Sequence, residues 1–191
     1  MNRFRSSLQR PFHPLTTIRG FTLQEMLVSL CISGTLAGGG AGVWGAVQQN
    51  AITAAANDLV THLALVRSEA ITQNTRVTIC PTVDRQACQP ASSDYTAWQT
   101  GWLVYVDNNA DGKPQVDEIV RLQNSVSNGI VIRSSRARGH VTYQPLGTAG
   151  GSTITFAVCS ARDPSLARYV VVSNSGRARV AQTTTSNVKC G

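Results

Sequence analysis

The spacing of apolar side chains divides the chain at about residue 48. Between residues 21 and 47 the only ionisable side chain is Glu25, and this apolar stretch is long enough to cross a bilayer as a helix. Beyond it, apolar residues recur at steps of three and four, which predicts that the helix continues to about Gln73, with residues 48–75 as an amphipathic half. The apolar positions are Ile52, Ala55, Leu59, Leu63, Val66 and Ala70.

The remainder, residues 76–191, is rich in short β-type runs separated by turn residues. This pattern predicts an α+β head domain, in which the amphipathic half of the helix packs on an antiparallel sheet. The predicted strands are residues 76–80, 101–107, 118–122, 130–133, 140–143, 153–159, 169–173 and 177–181.

Charge is distributed unevenly along the chain, which has a formal net charge of +7. Residues 1–20 carry four Arg and no acid, and residues 21–120 have a net charge of −5. Residues 121–191 carry eight Arg and one Lys against Asp163, a net of +8. The basic side chains of the C-terminal third therefore suit a polyanionic partner.

Cysteine usage fits an exported domain. Cys31 lies in the apolar stretch, and four further cysteines lie in the head domain, where an oxidising compartment permits disulfides. The sequence favours Cys80 with Cys88 and Cys159 with Cys190, although four cysteines allow three connectivities. A zinc site is the alternative, which no CxxC pair or neighbouring His supports.

The N-terminal residues carry an export and processing signal. Four Arg and no acid before the apolar stretch keep the N-terminus cytoplasmic, so the head domain is expected in the periplasm. A carboxylate near the start of a membrane helix is costly without a partner, so Glu25 requires an explanation. The alternatives are an ordinary membrane anchor with a chance glutamate and a functional role for this side chain.

The residues Arg19-Gly20-Phe21-Thr22-Leu23-Gln24-Glu25 resemble the processing site of type IV prepilins. This resemblance implies that residues 1–20 are a leader, which a prepilin peptidase removes by cutting after Gly20. Phe21 then becomes the methylated N-terminus. Glu25 is expected to pair with the N-terminal amine of a neighbouring pilin during assembly.

Two longer segments, LVTHLALVRSEAITQNTRVTIC and GWLVYVDNNADGKPQVDEIVRL, resemble the FimT/GspH group of minor pilins and pseudopilins. The resemblance implies a type IV pilin-like fold, other major and minor pilins as partners, and no enzymatic activity. It also implies a subunit that crosses the inner membrane once and joins an extracellular pilus after assembly.

The segment at residues 170–180 predicts a β-hairpin with a polar turn at Asn174 and Gly176. Side chains alternate along a strand, so Arg177 and Arg179 are expected on one face, about 7 Å apart. This spacing is close to that of successive phosphates on one DNA strand. Two guanidinium groups so placed bind phosphate oxygens without reading bases.

Other arginines extend this candidate interface. Arg136 and Arg138 repeat the spacing in another loop, and Arg133 and Arg168 are further candidates. Gly176-Arg177-Ala178-Arg179 also resembles the Gly-Arg-x-Arg motif of the FimT branch, which implies binding of double-stranded DNA during natural transformation. The alternative is a solvated basic edge strand that prevents aggregation.

An acidic segment gives a candidate calcium site. Asp107, Asn109, Asp111 and Glu118 have the spacing of an EF-hand loop, with Gly112 at its sixth position. The predicted flanking elements are strands rather than helices, and Asp, Asn and Gly are also the residues of an ordinary hairpin turn. Calcium and a simple turn both remain open interpretations, and no other cofactor is expected.

The sequence therefore predicts a non-enzymatic minor pilin that binds double-stranded DNA without sequence preference and supports DNA uptake. The alternative is a GspH-type pseudopilin of a type II secretion system with a structural role. No nucleophile motif such as GxSxG accompanies the histidines of the head domain, so a membrane-tethered enzyme has no support.

Overall fold

A computed structural model describes residues 20–126, 129–150, 153–184 and 188–190, with the side chains of residues 35–44 excepted. The predicted leader, residues 1–20, therefore lies outside the described residues apart from Gly20. The chain divides into two compact units, one ending at Gly42 and the other beginning at Val43.

Helix α1 spans Leu23–Gln73 and ends where the sequence predicted. Asn74 follows it with a φ of 52°, a left-handed conformation that Asn tolerates. The backbone N–H of Asn74 donates to the carbonyl of Ile71 at 3.3 Å, and that of Thr75 donates to Ala70 at 3.2 Å. This pair of bonds is a Schellman motif, which satisfies carbonyl groups at the end of the helix.

Most of the predicted membrane span, residues 21–47, lies in the first half of α1. Within the residues that the structure describes, no helix is long and apolar enough to cross a membrane. The predicted span, residues 21–47, includes residues 35–44, whose side chains lie outside the described part of the chain.

Nine strands follow α1 in the described residues, and eight of them correspond to runs predicted from the sequence. The additional strand, β2, has two residues, too few to show an alternating pattern. The strands are β1 (Val77–Pro81), β2 (Thr96–Ala97), β3 (Trp102–Val106), β4 (Ile119–Gln123), β5 (Ile130–Ser134), β6 (Val141–Tyr143), β7 (Ile154–Ser160), β8 (Ala167–Val172) and β9 (Ala178–Ala181).

The strands form two antiparallel sheets, a division that the sequence did not predict. One sheet has the order β4-β3-β1-β6, and the other has the order β2-β5-β7-β8-β9. Strand β1 pairs with β6, so that Thr78 lies opposite Thr142. Partners this far apart in sequence cannot be recognised from local patterns, which explains why the second sheet was missed.

One apolar cluster joins the second half of α1 to both sheets. The helical stripe predicted from the sequence is buried throughout, and Leu59 and Leu63 are fully enclosed. The same cluster contains Val104 of β3 and Phe156 of β7. Full burial of each such side chain stabilises the fold by about 1.5–3 kcal/mol. The amphipathic pattern of residues 48–75 is thus the pattern of a helix packed on a β domain.

Two disulfides connect the four cysteines of the head domain in the pairs that the sequence favoured. Cys80 is bonded to Cys88 and Cys159 to Cys190, with Cα–Cα distances of 5.5 and 5.9 Å. Cys159 and Cys190 lie with Val188 in an apolar cluster on the face of β7 that points away from the main core. The second disulfide therefore holds residues 188–190 on the five-stranded sheet.

Candidate nucleic-acid interface

Strands β8 and β9 form the predicted hairpin at one edge of the five-stranded sheet. Val171 lies opposite Arg179, and the N–H of Ser173 donates to the carbonyl oxygen of Arg177 at 3.0 Å. Because side chains alternate, Arg177 and Arg179 share the face opposite to the buried Val170. Both arginines are exposed. The hairpin therefore presents two cationic side chains to solvent on one face.

The turn of this hairpin is fixed by contacts with the loop between β6 and β7. Gly176 has a φ of 79°, and a Cβ at this position would lie 2.0 Å from the carbonyl oxygen of Gly147. The N–H of Ala149 donates to the carbonyl of Asn174 at 3.0 Å. Gly176 is thus required for the shape of the turn, and this contact positions the arginines that follow it.

A second basic segment, the turn after β5, lies at the same end of the sheet. The N–H of Ser135 donates to the carbonyl of Thr155 at the start of β7 at 2.8 Å. Arg136 and Arg138 are exposed in this turn, and Ala137 between them has a φ of 56°. The alternation of side chains along a strand therefore does not place Arg136 and Arg138 on one face, contrary to the spacing argument made from the sequence.

We refer to Arg136, Arg138, Arg177 and Arg179 as the basic end. The antiparallel order places the end of β5 and the start of β9 at the same end of the sheet, three strand spacings or about 14 Å apart. A guanidinium nitrogen of Arg136 lies 3.4 Å from a carboxylate oxygen of Asp94, and both side chains are mostly exposed. Such a surface pair contributes little and competes weakly with another anion.

Arg133 and Arg168 lie within strands rather than in the two turns of the basic end. The guanidinium carbon of Arg133 lies 4.1 Å from the ring centre of Tyr95, an arrangement that stabilises the cation against the aromatic face. Arg168 lies opposite Val158, a residue of the main core, and is therefore on the other face of the sheet from Arg179. The predicted role of Arg168 in DNA binding gains no support from this geometry.

A groove of about 410 Å³ lies beside the hairpin. Its walls combine the Arg179 side chain with several threonines, and both kinds of group donate hydrogen bonds to anions. The other lining residues are Thr153, Thr155, Val171, Ala181, Thr183 and Thr184. This groove could not be recognised from the sequence, because its residues come from three strands, from Thr153 before β7 and from the C-terminal segment.

The candidate calcium residues lie in the loop between β3 and β4. Asp107 and Glu118, at the two ends of the loop, are buried, whereas Asn109 and Asp111 are exposed. The described part of the chain holds no ready-made group of three or more His, Cys, Asp and Glu side chains that could bind a metal ion. The loop is thus not a preformed cage of acidic ligands.

The residues of the predicted processing site precede and open α1. Gly20 and Phe21 are exposed and lie before the first helical residue. The N–H of Glu25 donates to the Thr22 hydroxyl at 3.3 Å, and the N–H of Thr22 donates to the Glu25 carboxylate at 3.2 Å. This reciprocal pair is a capping box, which the pattern Thr-x-x-Glu could have revealed in the sequence.

Comparison with known proteins agrees with this fold. The family model described as type II transport protein GspH matches residues 55–176. No curated protein matches the chain in sequence.

Two crystal forms of one solved protein have the same architecture. The type IV minor pilin FimU of Pseudomonas aeruginosa is 22% identical in one crystal form, with a TM-score of 0.57 over 74% of this chain and 96% of FimU. A second crystal form gives 21% identity and a TM-score of 0.54 over 73% and 99%. The minor pseudopilin EpsH of Vibrio cholerae is 13% identical, with a TM-score of 0.49 over 68% and 94%. Since the family model covers more than half of its residues, this chain belongs to the GspH family of minor pilins and pseudopilins.

Proposed function

We propose that this chain is a minor type IV pilin whose head domain binds double-stranded DNA without sequence preference and supports DNA uptake in natural transformation. The observation that carries the proposal is the placement of Arg177 and Arg179 on one exposed face of a fixed hairpin. Within the described residues, neither arginine forms an ion pair. Both are therefore available to phosphate oxygens.

The basic end supplies further contacts. Arg136 and Arg138 project from a turn at the same end of the sheet, about 14 Å from the hairpin across the strands. A duplex that lies across this end meets both turns, and each guanidinium binds phosphate oxygens through charge-assisted hydrogen bonds. Contacts to phosphates alone position the duplex but carry no sequence information, which is the reason for expecting non-specific binding.

The charges around the hairpin also favour double-stranded DNA as the partner. Residues 164–191 contain no acidic side chain, so no carboxylate of the hairpin or of the C-terminal segment repels a phosphate. The groove beside Arg179 is lined by uncharged side chains, several of them threonines, which do not repel a phosphate.

The N-terminal residues serve assembly in this proposal. Prepilin peptidase cuts between Gly20 and Phe21, which are exposed before α1 begins. Residues 21–47 then hold the subunit in the inner membrane, with the head domain in the periplasm, until other pilins take it into the fibre. The exposed Glu25 carboxylate pairs with the N-terminal amine of a neighbouring subunit.

A second candidate function is that of a structural pseudopilin in a type II secretion system. The description of the matching family model, type II transport protein GspH, favours it. A pseudopilin that only contacts other pseudopilins does not need a DNA-binding surface, so DNA binding by the purified protein separates the two candidates.

The test is the DNA affinity of the full chain in detergent, measured by fluorescence anisotropy with a labelled duplex. We expect Arg177→Ala and Arg179→Ala each to weaken binding by about tenfold, the loss of one charge-assisted contact. Arg168→Ala is the matched control, because it removes the same charge from the opposite face of the same hairpin.

The proposal fails if the wild-type chain does not bind the duplex at low salt. It also fails if Arg168→Ala weakens binding as much as Arg179→Ala, because the location of the charge would then not matter. A duplex of unrelated sequence is expected to bind with the same affinity.

A further inference from the structure

The loop between β3 and β4 contains a buried carboxylate that, among the described residues, has a hydrogen bond to only one of its two oxygens. The Glu118 side chain is 4% exposed. One of its oxygens, Oε1, accepts a hydrogen bond from the N–H of Asn108 at 3.1 Å. The other, Oε2, is buried and has no hydrogen-bond partner among the described residues. A buried anionic oxygen without a partner is costly, which indicates that another group satisfies it.

A second buried carboxylate lies across the mouth of the same loop. Asp107 is 7% exposed and directly follows β3. The N–H of Val106 donates to the carbonyl of Glu118 at 2.9 Å, which brings the two ends of the loop together. Asp107 and Glu118 therefore lie at the two adjoining ends of the loop, and a cation bound there would neutralise both carboxylates and satisfy the second oxygen of Glu118.

The intervening residues have the spacing and backbone shape of a cation-binding loop. Asp107, Asn109, Asp111 and Glu118 occupy the first, third, fifth and twelfth positions. Gly112, at the sixth, has a φ of 72° and permits the sharp turn that such loops need. The hydroxyl of Tyr105 donates to the carbonyl of Gly112 at 3.0 Å and fastens this turn to β3.

The side-chain oxygens of the two exposed ligand positions accept hydrogen bonds from the backbone of the loop. The side-chain oxygen Oδ1 of Asn109 accepts from the N–H of Asp111 at 2.9 Å, and Oδ1 of Asp111 accepts from the N–H of Lys113 at 2.8 Å. Each oxygen keeps a second lone pair. The buried pair therefore provides one side of the candidate site, and the exposed pair lies in the loop that connects the two buried residues.

We propose that residues 107–118 bind one Ca²⁺ ion through side-chain oxygens of Asp107, Asn109, Asp111 and Glu118. Asn109, backbone carbonyls and water supply ligands beyond the three carboxylates, as the six to eight oxygens around Ca²⁺ require. Ca²⁺ is preferred to Mg²⁺, because an irregular set of carboxylate, amide and carbonyl oxygens does not provide the strict octahedron that Mg²⁺ demands. Binding fixes the β3–β4 connection of the four-stranded sheet, independently of the basic end.

The experiment is calorimetric titration of Ca²⁺ into the full chain, purified in detergent and freed of metal with a chelator. The expected dissociation constant is on the order of 10⁻⁴–10⁻³ M, the range of extracellular calcium modules. We expect Glu118→Gln to weaken binding by at least about tenfold, because it removes the charge at the buried oxygen. Should Glu118→Gln not fold, Asp111→Asn provides the same test at an exposed position and is expected to weaken binding several-fold.

Asp117→Asn is the matched control, because it makes the same charge change in the same loop at a position without a ligand role. Its affinity is expected to stay within about twofold of wild type. Absence of Ca²⁺ binding up to about 10 mM, far above the expected range, would overturn the proposal. A loss of affinity in Asp117→Asn as large as that in Asp111→Asn would also overturn the proposal, since Ca²⁺ binding would then depend only on the net charge of the loop.

Discussion

Gly176 and Gly147 are in such close contact that a Cβ on Gly176 would lie 2.0 Å from the carbonyl oxygen of Gly147. The same oxygen accepts a hydrogen bond from the Nε of Arg67 on α1 at 2.9 Å. The turn before Arg177 is thus tied through one carbonyl group to the helix. Gly176 acts on the candidate DNA surface by fixing the position of the hairpin.

Replacing Gly176 should therefore destabilise the head domain. Gly176→Ala adds a Cβ where φ is 79° and where a carbonyl oxygen occupies the space. The left-handed conformation alone costs about 1–2 kcal/mol for Ala, and the clash adds to it, so we expect a loss of at least about 2 kcal/mol. Urea denaturation monitored by circular dichroism measures this change in the free energy of unfolding.

Gly112→Ala is the control for this variant. Gly112 has a similar φ of 72°, but nothing lies within 4 Å of its added Cβ. Measured in chelator, it should lose only the conformational cost, about 1–2 kcal/mol. Equal losses in the two variants would show that the contact with Gly147 has no effect on stability.

Tyr143 should make stability fall at alkaline pH. Burial raises the pKa of its hydroxyl to about 12, although Arg67 acts in the opposite direction. In the unfolded chain the pKa is about 10, so between about pH 10 and 12 the unfolded state has released this proton and the folded state still holds it. The free energy of unfolding then falls by about 1.4 kcal/mol per pH unit from this group.

Tyr143→Phe isolates this contribution. The hydroxyl is buried without a hydrogen-bond partner in the described residues, so its removal should leave stability at pH 7 unchanged or slightly higher. Thermal unfolding between pH 8 and about pH 11 is expected to show a weaker decline for Tyr143→Phe than for wild type. Parallel declines would contradict the assignment to Tyr143.

The two disulfides should differ in their contribution to stability. The Cys159–Cys190 bond joins residues 31 apart in sequence, and the Cys80–Cys88 bond joins residues 8 apart. In the chain-entropy model these loops correspond to about 3.7 and 2.5 kcal/mol. We expect the double Ala variant of Cys159 and Cys190 to lose about 1 kcal/mol more, measured by urea denaturation. A larger loss from the shorter loop would contradict this expectation.

Much of the fold follows from local sequence patterns. The stripe from Ile52 to Ala70 predicted the buried face of α1, because burial on one side of a helix requires a repeat of three to four residues. The arrangement of strands into two sheets did not follow. It depends on pairings such as Thr78 with Thr142, where a side-chain hydrogen bond of 2.8 Å joins residues that no local pattern connects.

Part of the candidate DNA-binding site also follows from local sequence patterns, and part of it does not. The shared face of Arg177 and Arg179 follows from alternation within one strand. The orientation of Arg168 could have been foreseen, because it is an even number of residues from the buried Val170 and therefore points to the core side. The stacking of Arg133 on Tyr95 could not, since it depends on the short strand β2 pairing with β5.

The salt dependence of DNA binding tests the central claim most directly. Each phosphate contact lowers the slope of log Kobs against log salt by about 0.9, so loss of both hairpin arginines should make the slope shallower by about 1.8. The comparison is wild type against the double variant Arg177→Gln/Arg179→Gln. The control, Arg121→Gln/Arg162→Gln, makes the same charge change at exposed positions away from the basic end and should keep the wild-type slope. An unchanged slope in the hairpin variant, or an equal change in the control, would contradict DNA binding through Arg177 and Arg179.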